Sequence, residues 1–101
     1  ELTPEIFSPD EDGYNDILNI NYKFDSPRFI ANVTIYDSKG RLIKQVARNL
    51  LLGTTGTISW DGINEQREKA RIGIYVVYFE VFSLDGTVKH YKNAFVLASK
   101  L

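Results

Sequence analysis

One run of the sequence is dense in hard oxygen donors. Ser8-Pro9-Asp10-Glu11-Asp12-Gly13-Tyr14-Asn15-Asp16 gathers acidic and amide side chains around a glycine, and Asp10, Asp12, Asn15 and Asp16 form the kind of carboxylate and carbonyl set that calcium accepts. Against the helix-loop-helix calcium pattern, Gly13 and two acidic positions fit. Ser8, however, stands at the first ligand position, and Asn19 stands where the closing bidentate Glu belongs. The same short side chains bond readily to nearby backbone in Asx turns. A structural turn is the reading these residues favour, with calcium as the alternative.

Other chemistry finds less support. His90 is the only imidazole and lies between Lys89 and Tyr91, with no carboxylate beside it in sequence; a surface strand histidine explains it. No GxGxxG, GKS/GKT loop, HExxH or CxxC occurs. Glu65 and Glu68 sit in a charged stretch where solvation accounts for them. Trp60 could stack on a sugar, yet it alternates with Ile58 and so is expected in a core. Tyr36, Tyr78 and Tyr91 could reach a wet face and offer a platform for glycan or peptide, although an apolar body with a wet tip is normal for strand tyrosines.

Composition narrows the classes. The chain has 101 residues, 44% hydrophobic and 13% aromatic, which suits one folded domain and not a disordered tail. Lys plus Arg is 12 against Asp plus Glu 13, a net charge of -1, so there is no basic field for nucleic acid or anionic lipid. The longest apolar run, Ile72 to Phe79, contains Gly73 and is far short of the roughly 18 residues a span needs, so no membrane insertion is expected. With no Cys, disulfide scaffolds and thiolate metal sites are excluded. The opening Glu1-Leu2-Thr3-Pro4 has no signal-peptide pattern, and Glu1 in place of Met suggests a piece of a longer polypeptide.

The elements that must position these residues are strands. Leu18, Ile20, Tyr22 and Phe24 alternate with Asn19, Asn21 and Lys23, and Val33 and Ile35 alternate with Asn32 and Thr34. Ser38-Lys39-Gly40-Arg41 turns the chain, and Leu42 to Val46 reads as the returning strand, although Lys44 and Arg48 also suit a short helix. Thr57 to Trp60 is a short strand ending in an Asp61-Gly62 turn. Asn64 to Arg71 reads as an exposed loop. Gly73 to Phe82 is β-branched or aromatic almost throughout, as in a central strand buried on both faces. Leu84 to Thr87 then turns the chain into a last strand, Val88 to Ala98, so these two form an antiparallel hairpin. With a short extended piece at Glu5 to Ser8, the count is about seven strands, as in an all-β, antiparallel two-sheet sandwich.

These residues also carry a resemblance. Phe7-Ser8-Pro9-Asp10 with Asp12-Gly13-Tyr14-Asn15-Asp16, Ile35-Tyr36-Asp37 with Gly40-Arg41, Trp60-Asp61-Gly62, Gly73-Ile74-Tyr75 and Leu84-Asp85-Gly86 together resemble the immunoglobulin-like domain of the flagellar hook-capping protein family. More closely still, they resemble the C-terminal domains of Bacteroidetes surface and secreted proteins, some found downstream of a lamin-tail domain. Relatives of those tails act as sorting signals for type IX secretion and gliding motility. The resemblance covers Phe7 to Leu101 and implies an immunoglobulin- or fibronectin-like sandwich, with 1–101 as a single domain, in which Trp60, Asp61, Gly62, Gly73 and Tyr75 are structural. It also implies a non-catalytic C-terminal domain of a larger protein, located at the bacterial outer surface or secreted. The expected role is sorting signal, anchor or spacer; a carbohydrate-binding or adhesion module and a hook assembly scaffold are the alternatives. The implied partners are upstream domains of the same chain, export machinery or cell-surface glycan.

Overall fold

The period-two alternation becomes two packed sheets. The computed structural model describes residues 2–3, 6–7, 18–24 and 28–98, with the backbone alone for residues 2–3 and 6–7. The strands are β1 (Leu2–Thr3), β2 (Ile6–Phe7), β3 (Leu18–Lys23), β4 (Phe29–Asp37), β5 (Leu42–Leu52), β6 (Thr55–Trp60), β7 (Gly73–Ser83) and β8 (Val88–Leu97). One sheet has the order β1-β3-β6 and the other β2-β8-β7-β4-β5. Six strands therefore carry the sandwich, and two are two-residue strips. The expected antiparallel pairing holds with one exception: β2 runs parallel to β8, with Ile6 opposite Val96 and Phe7 opposite Leu97.

The core lies where the inward faces meet. Leu18 and Ile20 of β3 and Ile58 and Trp60 of β6 pack against Val33 and Ile35 of β4, Tyr75, Val77, Phe79 and Val81 of β7, and Phe95 and Leu97 of β8. Every second residue points inward because successive side chains of a strand leave opposite faces. β7 is the middle strand of its sheet, but only its odd-numbered positions from Tyr75 to Val81 are buried; Val76, Tyr78 and Glu80 are half-buried. The expectation of burial on both faces is corrected: no described element lies over the outer face of this sheet, so its apolar residues there rest against neighbours on the same face.

β5 is the other departure. It extends over eleven residues as a strand rather than ending near Val46 or turning into a helix. Its register against β4 shifts between Ala31 and Val33, between Val33 and Thr34, and between Ile35 and Tyr36. Bulges of this kind break strict alternation, which is why Lys44 and Arg48 look helical in sequence.

Aspartates fasten both hairpin turns. Asp37 accepts hydrogen bonds from the Lys39 and Arg41 amides at 2.9 and 2.8 Å, and its other oxygen takes the Arg41 Nε–H at 2.8 Å. The Arg41 amide, ahead of its guanidinium, holds the Asp37 carboxyl below the ordinary range. Asp85 is held low chiefly by the Ser83 hydroxyl and then by the Thr87 amide.

Candidate functional site

Three places on the sandwich gather polar or aromatic side chains. The first closes one end. Trp60 is 2% exposed, with its ring centroid 6.2 Å from that of Tyr75 and 6.0 Å from that of Phe95, and Tyr75 stacks on Phe95 at 5.9 Å. The Trp60 indole N–H donates to the Ile63 carbonyl at 2.9 Å, and the Tyr75 hydroxyl donates to the Arg71 carbonyl at 2.6 Å. A buried aromatic with a polar atom needs such a partner, and here both partners are backbone groups of the charged loop. Burial, and then the charge of Asp37, push the Tyr75 hydroxyl pKa up. Asp61 accepts the Ile63 amide at 3.0 Å in an Asx turn, and Gly62 is buried with φ 83, in the left-handed region that favours glycine. Gly73 has neither constraint, since a Cβ there would meet open space.

The loop itself is more ordered than its charges suggest. Asn64 accepts the Gln66 and Glu68 amides, each at 2.9 Å, and Ile63 bridges to Lys69. Glu65, expected to be merely solvated, accepts the Gln45 amide of β5 at 2.8 Å while its own amide donates to the Ile43 carbonyl at 3.0 Å. That expectation is corrected: the outer edge of β5 offers unpaired backbone groups, and a carboxylate 20 residues away in sequence satisfies one.

The second place is the outer face of the five-stranded sheet. Tyr36 and Tyr78 flank a shallow depression of about 480 Å³ that Asp37, Val76 and Lys92 also line. The Tyr78 ring stacks on His90 with centroids 5.6 Å apart, and its hydroxyl is 2.6 Å from His90 Nδ1. The β7–β8 register sets Glu80 opposite His90, with Nδ1 to Oε2 at 3.4 Å. His90 thus has a carboxylate neighbour that sequence adjacency did not show. The cluster lies on an open sheet face, where water competes for every proton, and not in a cleft.

Tyr91 does not join that platform. Tyr78 pairs with Lys92, so Tyr91 points to the opposite face, where it meets Phe79 edge-on at 6.1 Å. It is 49% exposed and lines the third place, a groove of about 460 Å³ between the sheets, whose walls include Ile20, Tyr22, Phe24, Val77 and Phe79. Tyr22 reaches this groove across Gly56, where a Cβ would run into the Tyr22 ring. An isolated glycine within a strand pattern is the sequence signal for such a close approach.

Asp10, Asp12, Asn15 and Asp16 lie outside the described residues. Among the described residues no group of three or more His, Asp or Glu side chains could hold a metal ion, and no helix is long and apolar enough to cross a membrane.

Comparison with known proteins places this geometry. No curated protein matches the chain. Among solved structures, CopC from Methylosinus trichosporium OB3b is similar in fold, with a TM-score of 0.64 and 19% identity over 100% of this chain and 92% of that one. At that identity the likeness concerns the fold alone. The model of the CHU_C type IX secretion signal domain matches residues 2–97, from the first described strand to the end of β8. The chain belongs to the CHU_C type IX secretion signal domain family, whose domains mark proteins for export to the cell surface or for secretion.

Proposed function

We propose that residues 1–101 are one folded, non-catalytic sorting unit at the C-terminal end of a longer bacterial protein, handled by the type IX export machinery as a folded object. The observation that carries this reading is the extent of the family match. It spans 2–97, and the sandwich begins at Leu2 and ends its last strand at Leu97, so the signal coincides with the fold and not with a short appended peptide. The family is that of the sorting branch, which favours sorting over the hook-scaffold alternative. Against a catalytic role stands the use of the described polar atoms: Trp60, Tyr75, Asp37, Asp61 and Asn64 all bond to backbone of turns and loops.

The test is export. A reporter fused ahead of this domain is expected to reach the surface or medium of a Bacteroidetes host with a type IX system, and the reporter alone to stay inside. Equal export with and without the domain overturns the reading. Deleting the end of β8 is a poor substitute, because Phe95 and Leu97 are core residues and the domain would unfold.

A second reading, glycan binding, is favoured by the Tyr36, Tyr78 and Lys92 depression alone. Titration with neutral and acidic oligosaccharides, following the Tyr36 and Tyr78 ring resonances, tests it; resonances unmoved at millimolar sugar dismiss it.

A further inference from the structure

The two edges of the five-stranded sheet are treated differently. A sheet edge exposes unpaired N–H and C=O groups, and proteins blunt it with bulges, charges or covering loops. β5 has three register shifts against β4, and at Ile43 and Gln45 its outer side is covered by the 61–72 loop, whose Glu65 takes the Gln45 amide at 2.8 Å and donates to the Ile43 carbonyl at 3.0 Å. β8 forms the other edge. It pairs with β7 in unbroken register from Val88 to Leu97, and among the described residues its outer side meets a strand only where β2 pairs with Val96 and Leu97.

The two strips near the start of the sequence lie on different sheets. β1 lies on β3 at Asn19 and Ile20, and β2, two residues further along the sequence, lies on β8 at Val96 and Leu97. Both strips therefore cover the same end of this side of the sandwich. Beyond them, positions 88 to 94 of β8 are all exposed although every one is paired to β7. Seven such positions span about 23 Å at roughly 3.3 Å per residue. Beneath them opens the inter-sheet groove, with apolar walls from Tyr22, Phe24, Phe79 and Tyr91.

We propose that this open edge accepts an extended acidic strand of a partner protein, which adds to β8 over positions 88 to 94 and sets alternate side chains into the inter-sheet groove. Strand addition supplies main-chain hydrogen bonds for affinity and side-chain slots for selectivity. Charge selects the occupant. Lys89 and Lys92 both stand exposed on this strand, Lys89 on the groove side with its Nζ 6.0 Å from the Phe29 ring centroid and Lys92 on the outer face beside Tyr78, and Lys23 is exposed at the groove's rim on β3, while Glu80 is engaged by His90 on the outer face. A second copy of this edge would set lysine against lysine, whereas an acidic strand meets them favourably. The proposal rests on the sorting reading for the source of the partner, the export machinery, and not for the edge itself.

Two measurements separate the edge from the reading. The folded domain, labelled with 15N, is titrated with an eight-residue capped peptide of alternating Glu and Val, with its Lys and Val counterpart, and with the acidic peptide N-methylated at alternate residues. The expected result is amide shifts at positions 88 to 94 and at Tyr22 with the acidic peptide alone. Binding should weaken about tenfold in the Lys23→Glu/Lys92→Glu variant, from two lost and reversed charge pairs, with the melting temperature unchanged. Equal binding of the basic or N-methylated peptide, shifts centred on Tyr36 and Tyr78, or no shift at millimolar peptide overturns the edge proposal. In the reporter assay the wild-type domain is expected to export and the double variant to fail. Equal export of both overturns the edge and leaves sorting standing; failure of the wild type overturns sorting and the partner, while the titration still decides the edge.

Discussion

Trp60 and Tyr75 face each other across the two sheets, ring centroids 6.2 Å apart, and each donates a hydrogen bond to one end of the same loop, at Ile63 and at Arg71. The contact joins β6 to β7 and at the same time ties down the polar segment between them. That loop in turn carries Glu65 to the β5 edge, so one aromatic pair supports both the core and the covering of an edge.

Trp60→Ala is expected to cost on the order of 3–5 kcal/mol, because it empties a buried site walled by Tyr75 and Phe95. Tyr75→Phe keeps the ring and deletes only the bond to Arg71, and should cost about 1 kcal/mol. Urea unfolding of the two variants checks the order, and a Tyr75→Phe loss equal to that of Trp60→Ala would contradict the division between packing and tether. The wild-type Trp60 emission should be blue-shifted from that of the unfolded chain.

Gly56→Ala should displace the Tyr22 ring, which lies where the new methyl would go. Overpacking of this kind costs roughly 1–3 kcal/mol. The ring also lines the inter-sheet groove, so Tyr22 side-chain resonances should move with the loss of stability. The paired change Gly56→Ala/Tyr22→Ala is expected to be less than additive; strict additivity would mean that the two do not touch.

Acid sensitivity follows from the turns. Asp37 and Asp85 are held below the ordinary carboxylate value of 3.8 by their amide and hydroxyl donors. The folded state therefore binds fewer protons than the unfolded one just below that value. The stability they contribute is whole above about pH 4 and is lost as the pH falls through the lowered folded values. Asp37→Asn and Asp85→Asn should each flatten the fall of melting temperature below pH 4. An unchanged slope in both would assign the acid limb to other carboxylates.

For Asp10, Asp12, Asn15 and Asp16 the proposal remains a turn built from their own side chains. Melting in millimolar calcium and in chelator is then expected to coincide. An ion held by the folded state alone would stabilise it by about 2.7 kcal/mol at a hundredfold excess over the dissociation constant, and a shift of that size would establish a calcium site in place of the turn.

Sequence alone determined the sandwich and most of its core. The alternation at Leu18 to Phe24 and Ile30 to Asp37, the β-branched run from Gly73 and the Leu84 to Thr87 turn that returns the chain as Val88 to Ala98 are local patterns. Side-chain parity along a strand is local geometry, and so is turn chemistry. The resemblance strings added the family for the same reason, since they mark the turns and strand starts of the fold. What only the tertiary structure decided depends on which strand lies beside which. β5 kept no alternation to read, because bulges against β4 break it. The pairing of β1 with one sheet and of β2, parallel, with the other at Val96 depends on how strands from different parts of the chain meet. Glu80 meets His90, and Tyr91 parts from Tyr78, through the β7–β8 register. Glu65 finds the Gln45 amide 20 residues back. Contacts of this kind are settled by register and by the need of edge backbone groups for partners, quantities that belong to pairs of strands and that no single segment of sequence contains.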